Sequence, residues 1–409
     1  MDFIFFLLFL ILLYSGFSTL YFLTFSLASI IGQGKANFST RYGFRKKFNT
    51  GYYQYNMLQQ NLWQYKKIAV LIPAYKEDSV IIDTVKAAIK MDYPGSLYDV
   101  IIIADYLRLT TLERLKSLPV KLIQVTLQKS TKVNALNYAM DKIDENYDLV
   151  LVLDADNEMA PDTLKKLSKR MNGKKDVIQC HRVAKNIDTP MAILDAISEE
   201  INNNIFSLGQ RNLGFSSRLA GSGMCFNYKH FRNLIKHIDA VGGFDKELEH
   251  MLLANRVRIN YANDILIYDE KVRQSGVFAR QRTRWIASQF HYLKRFYVPA
   301  FKALIREGNF DYFNKAFQMA LPPRLLFPPF LVLMLFVSLL IGEWILIEGY
   351  SVALILFVTA NFLSIPGKFL NCRFLAAIAE LPYALFKLTK SLITIKGKNK
   401  IFIHTPHSN

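Results

Sequence analysis

From residue 3 to residue 31 the chain reads FIFFLLFLILLYSGFSTLYFLTFSLASII, with no charged side chain. About 20 consecutive apolar residues cross a bilayer, so this run predicts a spanning helix even when tilted. A cleaved leader matches it poorly. The start is Met-Asp rather than basic, the apolar run is too long, and no small-residue cleavage site follows. Two further apolar runs, 325–342 and 350–366, predict a transmembrane hairpin, which the Pro328-Pro329 pair would kink or begin. Segment 374–393 is apolar but interrupted by Glu380, Pro382, Lys387 and Lys390, the pattern of an interfacial helix.

Between these runs the period changes. KKIAVLIPAY predicts a strand ending at Pro73, and SVIIDTVKAAIKM has helical spacing. YDVIIIAD is a second strand ending at Asp105, and KLIQVTL a third. STKVNALNYAMDKI is helical, YDLVLVLD is a short continuous strand, and APDTLKKLSKRM places Pro161 at a helix start. Strands alternating with helices predict an α/β fold with a doubly wound, mostly parallel sheet.

The chain has 409 residues, 51% hydrophobic and 13% aromatic, enough for a large core in more than one layer. Its net charge of +18 raises nucleic acid as a partner. The basic clusters, however, border apolar runs, and no zinc finger, RNP motif or basic zipper occurs, so anionic lipid headgroups are the simpler account. Lys35, Arg41, Arg45, Lys46 and Lys47 follow the first run, Arg324, Lys368 and Arg373 flank the hairpin, and its loop holds Glu343 and Glu348. The positive-inside rule then predicts an outside N-terminus and a cytoplasmic middle region, 35–324. Cys180, Cys225 and Cys372 show no C-x-x-C spacing, as expected of a reducing compartment. A transporter is disfavoured, because no charge lies inside an assigned span.

Two strands end in carboxylates, Asp105 in one and Asp154 and Asp156 in the other. In an extended chain residues i and i+2 point the same way, ~6.5–7 Å apart, and open α/β sheets bind ligands at the strands' carboxyl ends. Paired carboxylates there favour Mg²⁺ or Mn²⁺ shared with substrate phosphates. No G-x-G-x-x-G follows the first strand and no P-loop occurs, which argues against dinucleotide oxidoreductases and typical ATPases and points to nucleotide-sugar chemistry.

The ordered set IPAYKE (72–77), IIIAD (101–105), TKVNALN (131–137), LDAD (153–156), GSG (221–223), Asp245 and QRTRW (281–285) resembles membrane-bound family 2 glycosyltransferases, the group of cellulose, chitin and hyaluronan synthases. The resemblance spans roughly residues 66–290 and the flanking apolar runs. It implies a GT-A fold with Ala74, Tyr75 and Glu77 lining the uridine pocket and Asp105 on the base or ribose. Lys132 would hold the donor, and Asp154 and Asp156 would bind the metal, Asp156 more directly. Gly221, Ser222 and Gly223 would form an acceptor-side loop. Gln281, Arg284 and Trp285 would meet the acceptor and the diphosphate, with Arg280 and Arg282 facing lipid or solvent. Relatives read T-E-D at the base position. Here GGFDKELEHMLL aligns Asp245 there, with Glu247 and Glu249 as competitors and His250 a helix-face residue. The sequence also departs from relatives after Asp105, where Tyr106-Leu107-Arg108 replaces further acids and a small polar loop. The ending FIHTPH resembles the tail of some relatives.

The resulting expectation is an inverting, metal-dependent transfer from a nucleotide-sugar, UDP-linked, to a saccharide acceptor, processive or not. Its rivals are single-sugar transfer to a polyprenyl phosphate or glycolipid, and a silent membrane scaffold that keeps the nucleotide fold. A homo-oligomer or an export partner would suit so few spans. The expected organisation is a spanning helix at 1–33, a basic cytosolic linker at 34–65, the transferase domain at 66–275, the Q-x-x-R-W and interfacial region at 276–324, the hairpin at 325–367, and an interfacial helix with tail at 368–409.

Overall fold

The computed structural model describes residues 2–33, 65–127, 130–143, 146–238 and 242–394. The basic linker, with Lys35 to Lys47, and the FIHTPH tail lie outside the described residues. The chain divides into two units, one of residues 31–185 and 217–270, the other of 1–30, 186–216 and 271–400.

The first unit is built on one eight-stranded sheet in the order β3-β2-β1-β4-β7-β6-β8-β5. Its strands are β1 (Ile68–Tyr75), β2 (Tyr98–Asp105), β3 (Lys121–Val125), β4 (Leu149–Val152), β5 (Glu158–Met159), β6 (Val177–Ala184), β7 (Met224–Asn227) and β8 (Ile259–Asp269). β1 pairs in parallel with β2 on one side and β4 on the other, and β2 in parallel with β3. The sheet then becomes mixed. β7 is antiparallel to both β4 and β6, β6 and β8 are parallel, and β5 is antiparallel to β8. The expected parallel half is therefore present, and antiparallel β7 extends it into a mixed sheet.

β1 does not stop at Pro73. It pairs with β2 as far as Tyr75↔Asp105, whereas its ladder to β4 ends at Leu71↔Val152. The missing N–H of Pro73 lies beyond that second ladder and costs no sheet bond. Ile68 to Ile72 are fully buried, as a strand covered on both faces requires. Each such Ile or Leu contributes ~1.5–3 kcal/mol by burial.

Helices α2 (Ile81–Ala88), α3 (Leu109–Lys116), α4 (Lys132–Lys142), α5 (Thr163–Arg170), α8 (Tyr228–Ile235) and α9 (Phe244–Ala254) belong to this unit. Thr131 caps α4 by accepting from the N–H of Asn134 at 3.1 Å, which places Lys132 at the first helical position.

The second unit is helical among its described residues. α1 (Asp2–Gln33) and α13 (Trp344–Leu363) are long and apolar enough to cross a membrane by length and composition. They pack through small polar residues. Ser26 Oγ donates to Ala360 O at 2.7 Å, Ser364 Oγ to Ser26 Oγ at 2.9 Å, and Tyr350 OH to Leu8 O at 2.8 Å. Side-chain donors that satisfy carbonyls across two closely approaching apolar helices form the usual glue of such pairs. α12 (Phe327–Ile341) has only 15 residues, about 22 Å at 1.5 Å per residue, which is short of a ~30 Å hydrocarbon core. The second expected span, at 325–342, is thus a shorter helix than a straight crossing needs. The segment expected at 350–366 begins at Trp344 instead, which brings Glu348 inside the helix, exposed on its second turn.

α6 (Pro190–Asn203) continues through a π-turn at Asn204–Leu208 into α7 (Gly209–Asn212). The helices α10 (Ser275–Glu307), α11 (Phe310–Ala320) and α14 (Cys372–Ile393) complete the unit. α6 buries three acids, each paired with a cation from the later part of the chain. Asp195 pairs with Arg282, Glu199 with Lys271 at 3.5 Å, and Glu200 with Lys368 at 3.0 Å. Segment 374–393 lies within α14, which runs unbroken through Pro382.

Candidate active site

In the strand order 3-2-1-4 the connections leave β1 in opposite directions, so its carboxyl end is the switch point where open α/β sheets form a ligand crevice. The carboxyl ends of β1, β2 and β4 carry Tyr75, Asp105 and the Asp154–Asp156 turn. Two non-glycine residues with left-handed backbone, Lys76 and Tyr106, both at φ 56°, sit immediately after β1 and β2. Such strain persists only where neighbours enforce it, and it concentrates at functional sites. Here the N–H of Lys76 donates to Asp105 O at 3.0 Å, and the Tyr75 and Tyr106 rings meet edge to face at 5.8 Å with Lys76 Nζ over both.

Asp105 is 2% exposed. Ser130 donates to one carboxylate oxygen, and the buried Oδ1 has no hydrogen-bond partner among the described residues. Desolvation pushes its pKa up, against the Ser130 bond and the charge of Lys76. Ala74, expected to line the uridine pocket, is buried, while Tyr75 and Glu77 are half-buried.

β4 stops at Val152, and residues 154–157 form a turn closed by Asn157 N to Asp154 O at 3.1 Å. The extended spacing expected for Asp154 and Asp156 is replaced by this turn. The alternation survives, since Leu153, Ala155 and Asn157 are buried while Asp154 and Asp156 stay half-exposed. Lys132 Nζ contacts the Asp154 carboxylate and donates to Gly221 O at 2.8 Å. The same Nζ stands 5.4 Å over the Phe244 ring. As hard oxygen donors, the Asp154 and Asp156 carboxylates match Mg²⁺ or Mn²⁺, which protein sites commonly hold by one or two carboxylates with substrate phosphates completing the shell.

Gly221 and Gly223 take positive φ, 80° and 65°. Ser222 between them is fully buried, and its Oγ accepts the N–H of Asp154 at 2.9 Å. Gly223 N donates to Val152 O at 2.8 Å, so this loop is clasped to the end of β4. A Cβ on Gly223 would lie 3.0 Å from Ile267, whereas one on Gly221 would meet open space.

Asp245 lies in the first turn of α9, after Gly243 at φ 69°. Desolvation raises its pKa, partly offset by Lys246, and Glu249 pushes it further up while Lys132 opposes. Lys246 Nζ is 3.8 Å from Asp245 and 3.0 Å from Glu249. Glu247 and Glu249 are sealed at 1% and 0% exposure, whereas the Asp245 side chain keeps 18%. His250 is buried on the same helix.

In the helical unit α10 carries Gln281, Arg284 and Trp285. Trp285 is exposed, and burial lowers the Arg284 pKa. Arg280 is exposed as expected, but Arg282 is not. It is 4% exposed, paired with Asp195, with its guanidinium carbon 3.9 Å from the Trp285 ring centre and 4.7 Å from that of Phe278. Asp195, 87 positions earlier on α6, supplies the countercharge that lets an arginine turn inward, and nothing local in QRTRW announces it. The same holds for Arg182, Asn157 and Asp269, which form a largely buried network behind the Asp154–Asp156 turn.

A family profile described as glycosyltransferase like family 2 matches residues 66–288, more than half of the chain. The chain belongs to that family. Among solved structures, this glycosyltransferase is similar to the mannosyltransferase PcManGT from Pyrobaculum calidifontis in complex with GDP-Man and Mn²⁺. The TM-score is 0.51 at 15% identity over 88% of this chain and 99% of that one. At that identity the likeness supports a GT-A-like fold alone. S. aureus TarS 1–349 also aligns, at 15% identity over 80% of this chain and 89% of that one, but its TM-score of 0.38 carries no argument. No curated protein sequence matches the chain.

Proposed function

We propose that this glycosyltransferase moves a sugar from a UDP-linked donor to a saccharide hydroxyl by direct displacement with inversion, from the cytoplasmic face of a membrane crossed by α1 and entered by the α12–α13 hairpin, after which Ser364 and Lys368 meet Asn204 and Glu200 again. The observation that carries this reading is electrostatic. Lys132 contacts Asp154 and the Gly221 carbonyl while its charge acts on Asp245, so a cation-binding acid, a phosphate-seeking cation and a desolvated base share one cluster.

Asp105 has a buried oxygen without a hydrogen-bond partner among the described residues, an acceptor for the N3–H of uracil. Asp156, with Asp154, would hold Mg²⁺ or Mn²⁺, which when bound would neutralise the leaving diphosphate. Lys132 shifts from Asp154 to phosphate oxygens as the donor arrives. Asp245, with its pKa raised toward the working range, takes the acceptor proton. It is favoured over Glu247 and Glu249 because it alone of the three keeps solvent access. The exposed indole of Trp285 offers a face for a sugar ring, which favours a saccharide acceptor over a bare polyprenyl phosphate.

The test is release of free nucleotide from a panel of UDP- and GDP-sugars with Mn²⁺, by wild type and Asp156→Ala. Turnover of a UDP-sugar that Asp156→Ala abolishes is expected. Turnover that survives this change, or preference for GDP-sugars, overturns the reading. Product length with labelled donor separates single addition from processive synthesis.

A further inference from the structure

Behind the Asp154–Asp156 turn sits Asn157, fully buried. Its Nδ2 donates to Asp156 Oδ1 at 2.9 Å and to Asp269 Oδ1 at 2.8 Å. Its Oδ1 accepts from Ser222 Oγ, which itself accepts the N–H of Asp154. The amide has one orientation only, because carboxylates can only accept and both of its protons are spent on them. Asp269 is in turn gripped by Arg182, whose Nη2 reaches the same Oδ1 at 2.6 Å and whose Nη1 donates to Ala220 O at 2.8 Å. Asp269 is 6% exposed, so its charge needs that partner. Three distant segments, the turn after β4, the 220–222 loop and the end of β8, therefore meet on one side chain.

We infer that Asn157 is the positioning residue of the cation site: it fixes the Asp156 carboxylate through Nδ2 and, through Ser222, the backbone of Asp154. This rests on the reading of Asp156 as a cation ligand. The physical reason is that a carboxylate on a turn rotates freely unless an oxygen is held. A buried amide held by Ser222 and Arg182-bound Asp269 holds it without adding charge. Outer partners of this kind are worth about 10- to 100-fold in metal affinity.

The experiment is Mn²⁺ binding to the detergent-solubilised full chain, followed by electron paramagnetic resonance, for wild type, Asn157→Ala, Ser222→Ala and Asp156→Ala. Thermal melting is recorded for each. Asp264→Asn, which breaks the Arg170 pair elsewhere in β8, serves as a stability control and should leave Mn²⁺ binding unchanged. Folded Asn157→Ala should bind Mn²⁺ about 10- to 100-fold more weakly. An unchanged dissociation constant for it, with binding lost in Asp156→Ala, overturns the positioning role and spares the cation site. Binding retained in Asp156→Ala overturns the underlying reading instead. Should Asn157→Ala not fold, Ser222→Ala decides: severalfold weaker binding supports the role and unchanged binding overturns it.

Discussion

The turn after β4 and the QRTRW helix carry the two most recognisable motifs of the chain, and both are built the same way. At the turn, Asp154 and Asp156 are half-exposed and the neighbouring Asn157 is sealed. On the helix, Gln281, Arg284 and Trp285 keep solvent access while Arg282, between them, is buried. The supports differ in kind. Asn157 is neutral and bridges two acids, whereas Arg282 is charged and paired with Asp195 beneath an indole. In each place the residues that make the motif keep solvent access, and an adjacent residue outside the pattern is buried beside them. Where the support is neutral, its loss should disturb geometry. Where it is charged, its loss should disturb folding.

That contrast can be broken most sharply with Asp245→Asn. Removal of a general base costs about 10²–10⁴-fold in rate, so kcat should fall that far while donor binding persists; unchanged kcat would move the base elsewhere. The same change should raise the melting temperature at neutral pH. With its pKa raised by burial, folded Asp245 binds its proton more tightly than the unfolded chain does. Its contribution is therefore greatest at low pH and falls as pH rises through the folded value, in a window above the ordinary carboxylate value of about 4. By the same sign, the acid limb of kcat/KM in wild type should lie above that value.

Next in size, Arg282→Met strands buried Asp195 and should cost about 3–5 kcal/mol in denaturant unfolding. Arg282→Lys, which keeps the charge but loses the planar stack, should cost less and chiefly raise the acceptor KM. Equal losses in the two variants would show that the ion pair is irrelevant. Trp285→Ala should raise the acceptor KM about tenfold, the loss of ~1.4 kcal/mol, with the donor KM unchanged. The smallest effect separates the two glycines of the clasp. Gly221→Ala meets only left-handed strain, about 1–2 kcal/mol, whereas Gly223→Ala adds overlap with Ile267 and should melt lower.

Much was legible from residue order alone. The alternation of apolar strands and amphipathic helices marked β1 to β4 and α2, α4 and α5, because buried parallel strands must be apolar throughout; α3 was not read from the sequence. YDVIIIAD coincides with β2 at both ends. The uncharged run at 3–31 required no fold to be read as a helix long and apolar enough to cross a membrane, since length and composition alone decide that. The carboxylates at strand ends were also visible, because a short apolar run that stops on acids can be read directly from residue order. Tertiary structure alone decided the rest. β7 is four residues long and antiparallel, too short for any period to register. The inward turn of Arg282 depends on Asp195, 87 positions away, and the hold on Asp156 depends on Asp269, 112 positions from Asn157. Local sequence specifies period and charge. Which buried charge finds which partner is settled by packing, because the cost of an unpaired charge falls due only once water has been excluded.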